Sequence, residues 1–200
     1  MRREERRLYD EYLAAAARAG DRLALERLAE RWQPRLLGHA WRLTGDGELA
    51  RDVAQEAWVE ILRGLAALDD AMAFPAWAMR IVTRRAAKAI GRRQRRRRAI
   101  DDLAHEPAPS SPVNRGEHDA EFQLVRAAMT ELPSEQRSAL GLFYLEEMSV
   151  AEIAVALDVP PGTVKTRLMH ARRKLRRTMK GDTHAHHRRT DRGDPDGRGT

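Results

Sequence analysis

Apolar side chains recur along this chain at intervals of three and four, the period of a helix with one face turned inward. From Glu48 to Leu65 the residues Leu49, Val53, Ala57, Trp58, Ile61 and Leu62 fall on one stripe, and Asp52, Gln55, Glu56, Glu60 and Arg63 fall on the opposite side. Upstream, residues 9–42 predict two helices separated near Gly20-Asp21. Asp21 is placed to cap the second, and Leu23, Leu25, Leu28, Ala29, Trp32, Leu36 and Leu37 form its buried side. Thr44-Gly45-Asp46-Gly47 reads as a turn. After a loop over 66–73, a further helix is expected from Phe74 into Ile90, with Phe74, Trp77, Ala78 and Ile81 in the core and GRRQRRRR at its end. No stretch alternates apolar and polar residues for long enough to predict a strand, and Ala, Leu, Arg and Glu dominate, so the fold class is all-α.

The periodicity lapses over 98–119, where three prolines, a serine pair and acidic residues have the composition of a flexible linker. It resumes with Leu124, Ala128 and Leu132, stops at Pro133, and returns with Leu140, Phe143, Tyr144 and Leu145 behind a Ser134 cap. Two small helical domains are therefore expected, over 1–97 and 120–178, followed by a tail over 179–200 that has no apolar stripe and is expected to be disordered.

The second domain contains a corner with a defined grammar. Ser149-Val-Ala-Glu152 is a capping-box pattern that opens a short helix carrying Ile153, Ala154 and Leu157 inward. Asp158-Val159-Pro160 turns the chain, and Pro161 stands at a first helical position, where its missing N–H has no intrahelical partner to lose. In the helix that follows, Val164, Leu168, Ala171 and Leu175 pack, so Lys165, Thr166, Met169, His170, Arg172 and Arg173 point outward. A helix-turn-helix lays such a second helix in the DNA major groove, where Lys or Arg meets guanine and an apolar atom meets a thymine methyl. Arg172, Arg173, Lys174, Arg176 and Arg177 are placed for phosphates.

Charge agrees with a polyanion partner. Residues 1–100 carry 22 basic and 14 acidic side chains, 101–120 carry 1 and 5, and 121–180 carry 10 and 7. There is no cysteine, which excludes disulfides and thiolate-bound zinc and fits a cytoplasmic protein. No uncharged run approaches the ~20 residues of a membrane span, so no membrane insertion is expected. No metal or other cofactor is expected. An enzyme built on the Glu56–Glu60 carboxylate pair lacks the partner Glu-x-x-His helices of a di-iron site. A stand-alone helix-turn-helix regulator binding as a dimer would leave the first domain unused.

Three segments in this order resemble bacterial sigma factors of the extracytoplasmic-function (ECF) class of the sigma-70 family: ARDVAQEAWVEIL (50–62), AFPAWAMRIVTRRAAKAIGRRQRRR (73–97) and ELPSEQRSALGLFYLEEMSVAEIAVALDVPPGTVKTRLMHARRKLR (131–176). The resemblance implies a monomeric, non-catalytic transcription initiation factor. Its implied partners are core RNA polymerase, promoter DNA and an anti-sigma protein. It implies polymerase binding by Asp52, Gln55 and Glu56, and minus-thirty-five contacts by Thr163, Lys165, Thr166, Arg167, Met169, His170 and Arg173. Engagement and melting of the minus-ten element fall to Arg80, Arg84, Arg85 and Lys88, with the 66–73 loop capturing a flipped base. Arg84 stands where many relatives carry an asparagine, and it donates hydrogen bonds without accepting any.

Overall fold

A computed structural model describes residues 3–101 and 129–190. Four helices build the first lobe: α1 (Arg3–Arg18), α2 (Arg22–Thr44), α3 (Gly47–Gly64) and α4 (Phe74–Asp101), with two short 3-10 turns, Leu65–Ala67 and Ala71–Ala73, between the last two. The second lobe has α5 (Ser134–Tyr144), α6 (Val150–Leu157) and α7 (Pro161–Thr190). No strand occurs among the described residues.

Local chemistry fixes the helix ends of the first lobe. The Asp21 carboxylate accepts from the amides of Leu23 (2.9 Å) and Ala24 (3.1 Å), which starts α2. Gly45, at φ 68°, closes α2 in the left-handed conformation while its amide donates to the Trp41 carbonyl at 2.8 Å. One residue later Asp46 caps α3, accepting from Glu48 N and Leu49 N at 3.0 Å each. The inward row of α2 is Ala24, Leu28, Trp32, Leu36 and Ala40, spaced by four. Leu23, expected inside, lies about 100° round from Ala24 and is exposed. Leu62 stands in the same relation to buried Ile61 and is also exposed. Phe74 is wholly buried and meets the Trp32 ring edge-on at 5.0 Å, while Trp77 is half-buried beside it. Burying each such large side chain stabilises by roughly 1.5–3 kcal/mol.

In the second lobe the capping box is formed as expected. Ser149 Oγ accepts from Glu152 N (3.2 Å), and Glu152 Oε2 accepts from Ser149 N (2.7 Å). Asp158, at φ 55°, ends α6, and Pro161 begins α7. The packed face joins Leu140, Leu142, Met148, Ile153, Ala156, Leu157, Val164, Leu168 and Ala171.

Five expectations are corrected. Helix α1 begins at Arg3 rather than near residue 9, because its arginine-rich start finds carboxylate partners on the second lobe. Ser134 does not cap α5; it is the first helical residue, and Pro133 takes the N-cap position without a side-chain bond. Tyr144 and Leu145 are exposed, since they lie at the C-terminal end of α5, past its buried residues Ala139–Leu142. Helix α4 runs to Asp101, into the expected linker; the rest of that linker, with Leu124 and Ala128, lies outside the described residues. Helix α7 continues to Thr190, into the tail expected to be disordered. No proline interrupts the chain before Pro195, and a nucleated helix propagates without needing an apolar stripe. Residues 191–200 lie outside the description.

Candidate nucleic-acid interface

Helix α7 presents the surface expected to read bases. With Val164, Leu168 and Ala171 buried, Lys165, Thr166, Met169 and Arg173 are exposed, and Thr163, Arg167 and His170 are half-buried along the rim. The Thr166 hydroxyl donates to the Gly162 carbonyl at 3.0 Å, leaving its oxygen free to accept from a base. Arg173 Nη2 donates to His170 Nδ1 at 3.2 Å, which ties the two outward side chains together. The Arg167 guanidinium lies 3.9 Å from the Glu135 carboxylate, a loose pair on an exposed rim. Arg172 departs from expectation. Its guanidinium lies over the Phe143 ring at 5.2 Å and the Tyr144 ring at 5.6 Å, so it holds α7 to α5 instead of facing a phosphate.

Helix α4 carries the second cationic surface. Arg80, Arg84, Lys88 and Arg92 are exposed and spaced by four, which lines them along one side of the helix over about 18 Å. Such a row follows a nucleic-acid backbone and supplies affinity without sequence choice. Most of the row is already partnered. Arg84 and Arg85 bond to Glu60, the latter from Nε at 2.7 Å; Arg92 bonds to Glu56 at 3.0 Å; and Arg80 bonds to Asp158 of the second lobe at 2.8 Å. Bonding to Glu60 raises the Arg85 guanidinium above its ordinary value. The row is held from below by His39, which burial, and then Arg42, push well below its ordinary 6.5. The Thr83 hydroxyl donates to the Met79 carbonyl at 3.0 Å, so it accepts from Nε2–H of the neutral His39, also at 3.0 Å, and α2 is bolted to α4.

The outer face of α3 holds Asp52 and Gln55 in solvent, as expected of a docking surface. Glu56 turns aside to Arg85 and Arg92, so it lies on the seam with α4 rather than at the centre of that face. Sequence reasoning missed the apolar half of the surface: Val59 and Leu62 are exposed, and 52, 55, 59 and 62 form one stripe. The i, i+3, i+7, i+10 spacing from Asp52 was the available signal. The 66–73 loop lies beside a cleft of about 470 Å³ lined by Leu8, Met72 and Pro75 among others, with Asp70 bracing the turn through the Met72 amide at 2.8 Å. Phe74, being wholly buried, is not available to stack on a base.

Similarity to known proteins falls on two segments of the chain. The family model for Sigma-70 region 2 matches residues 28–97, and that for Sigma-70, region 4 matches residues 122–175. The RNA polymerase sigma-H factor of Pseudomonas aeruginosa is 29% identical over 183 residues, 85% of this chain and 93% of the relative. The ECF RNA polymerase sigma-E factor of Escherichia coli K12 is 29% identical over 178 residues, 84% and 93% of the two chains. Among solved structures, the sigma factor RpoE in complex with the anti-sigma factor NepR from Bartonella quintana superposes with a TM-score of 0.63 at 22% identity, covering 78% of this chain and 96% of that one.

Proposed function

Because the chain belongs to the sigma-70 family, in its extracytoplasmic-function class, and is thus an initiation factor that directs RNA polymerase to promoters, we propose how its surfaces divide that work. Residues 1–97 act as the polymerase-binding and minus-ten domain and residues 120–178 as the minus-thirty-five domain. The Asp52–Gln55 face of α3, with Glu56 at its edge, docks on core polymerase. On α4, Arg80, Arg84, Arg85 and Lys88 take the minus-ten strand. On α7, Lys165, Thr166, Met169 and His170 meet base edges, while Thr163, Arg167 and Arg173 meet the backbone.

The observation that carries this reading is that three separate solvent faces occur within the two matched segments, an acidic-apolar one on α3 and a cationic one on α4 within residues 28–97, and a second cationic one on α7 within residues 122–175. A stand-alone regulator would use α6 and α7 and leave the α3 stripe without a purpose. No catalytic step is assigned: Glu56 and Glu60 bond to arginines, as a structural pair does. The chain acts in the cytoplasm, where polymerase is, and an anti-sigma protein, of the kind solved with RpoE, is proposed as a further partner.

Run-off transcription on a promoter library with purified core polymerase tests the reading. The chain should yield discrete transcripts that core polymerase alone does not, and Lys165→Ala should change which promoters are used. Tight, sequence-selective binding by the chain without polymerase would overturn it.

A further inference from the structure

Helices α3 and α4 meet along a seam of alternating charge. Glu56 and Glu60, one turn apart on α3, lie on the side that faces α4, and each carboxylate bridges two arginines. Glu60 accepts from Arg84 Nη2 on Oε1, and on Oε2 it meets Arg85 Nε at 2.7 Å and Nη2 at 2.5 Å. Glu56 accepts from Arg85 Nη1 at 3.4 Å and from Arg92 Nη2 at 3.0 Å. Arg85 is used up by these bonds, since its Nε and both terminal nitrogens meet carboxylates. Its part in taking the strand is to fix Glu60.

Arg84 departs from the rest of the row. Its side chain is 57% exposed, and the bond to Glu60 engages only Nη2. A guanidinium carries two edges with a pair of donors each, the Nε–Nη2 side and the Nη1–Nη2 end. One bond through Nη2 leaves one of these edges whole. Glu60 is only 25% exposed and is tied to Arg85 on its other oxygen, so the direction of Arg84 is set from two rigid helices. Arg80 is paired too, but both it and its partner Asp158 are exposed. Lys88 has no carboxylate partner among the described residues and offers a freely swinging point charge, which suits a phosphate.

The clamp decides what the open edge of Arg84 can hold. A phosphate arriving there meets the Glu60 carboxylate at close range, and like charges repel. A base edge carries no net charge and gains its hydrogen bonds without that opposition. Guanine presents two adjacent acceptors, O6 and N7, on the edge that is open both in the duplex and in a melted strand. Adenine puts a donor beside N7, and neither thymine nor cytosine offers two acceptors side by side on that edge. A fork that only donates fits guanine.

We propose, on the reading that α4 takes the minus-ten strand, that Arg84 selects guanine at one position of that strand and that Glu60 is the positioning residue behind it. The carboxylate turns a phosphate-seeking cation into a directed pair of donors.

Full-length chain assembled with core polymerase is given a promoter library randomised over the minus-ten element, and the transcripts are sequenced. Guanine should be enriched at one position by at least about fivefold over each other base. In a single such promoter, 7-deazaguanine, which lacks the N7 acceptor, should remove most of the advantage. Arg84→Lys keeps the charge but not the fork and should bring the ratio within about twofold. Glu60→Gln should do the same, while overall promoter affinity rises and its salt dependence steepens, because a carboxylate beside the phosphates is gone. A merely structural role for Glu60 would lower affinity and leave the base ratio alone. Far-UV circular dichroism checks that each variant is folded, and exposed Arg84 supplies the deciding variant if Glu60→Gln unfolds. Discrete transcripts without guanine enrichment, or with an enrichment that a folded variant leaves intact, overturn the proposal and leave the polymerase reading standing. No transcript at all with core polymerase overturns both.

Discussion

Asp46 does two jobs that substitution can separate. Its carboxylate caps α3 through the amides of Glu48 and Leu49, and it also bonds to Arg93, far along α4. The bond to Arg93, followed by the backbone bond from Leu49, holds the carboxyl below its ordinary 3.8. Asparagine keeps the cap, since Asn and Asp are equivalent in that role, but loses the charge. Alanine loses both. The cap is worth about 1 kcal/mol; the ion pair, with Arg93 side chain 41% and Asp46 side chain 25% exposed, is discounted by solvent and contributes about 0.2–1 kcal/mol. A carboxylate at a helix N-terminus gains a further ~0.3–1 kcal/mol from the dipole. Asp46→Asn should therefore destabilise by about 0.5–2 kcal/mol and Asp46→Ala by about 1 kcal/mol more.

Urea unfolding followed by far-UV circular dichroism measures both, and pH gives an independent handle. Because the folded carboxyl titrates lower than the unfolded one, its contribution is complete above the unfolded value and is lost as pH falls through the folded value. The gap between the native sequence and Asp46→Asn should therefore be full at pH 7, shrink below pH 4, and narrow in 1 M salt. The gap between the Asn and Ala variants, which is neutral hydrogen bonding, should persist through all three conditions. Equal losses for Asn and Ala at pH 7, or a native–Asn gap indifferent to salt and acid, would refute the assignment.

Three further outcomes are expected. Phe74→Ala removes a wholly buried ring from against Trp32 and should cost about 3–5 kcal/mol in denaturant unfolding, with a shift in tryptophan emission. Asp52→Lys and Leu62→Lys change exposed side chains, so the unfolding midpoint should move by no more than about 0.5 kcal/mol while co-sedimentation with core polymerase weakens at least about tenfold, or 1.4 kcal/mol. Lys165→Ala should lower promoter discrimination in holoenzyme footprinting by about 1–3 kcal/mol at one minus-thirty-five position, whereas removing a phosphate contact such as Arg173 should weaken all promoters alike and flatten the salt dependence.

The parts legible in the sequence were those written in a local code. Asp21, the Ser149–Glu152 box and Pro161 each mark a boundary through a bond made within a few residues, and each boundary falls where the sequence placed it. The faces of α7 followed from period alone. Errors came where neighbours one position apart compete for a stripe. Leu23 loses to Ala24 and Leu62 to Ile61 because the side that packs is fixed by the row spaced at four, and a leucine outside that row stays in solvent whatever its hydrophobicity. Arg172 was misplaced for a related reason. Its charge suggested phosphate, but its long apolar stem and planar head suit the Phe143–Tyr144 pair that period puts beside it.

The contact between the lobes was illegible for a deeper reason. Nothing in the sequence singles out Arg6, Arg7, Arg42, Arg137 or Glu146, and Asp158 reads there only as part of a turn; only the fold brings them together. Apolar packing also joins the lobes, since buried side chains of both belong to one continuous core. The residues that hold the lobes together are hard to recognise in the sequence because each contact joins partners far apart along the chain, as Arg42 with Glu146 and Arg137 with the Arg42 carbonyl do.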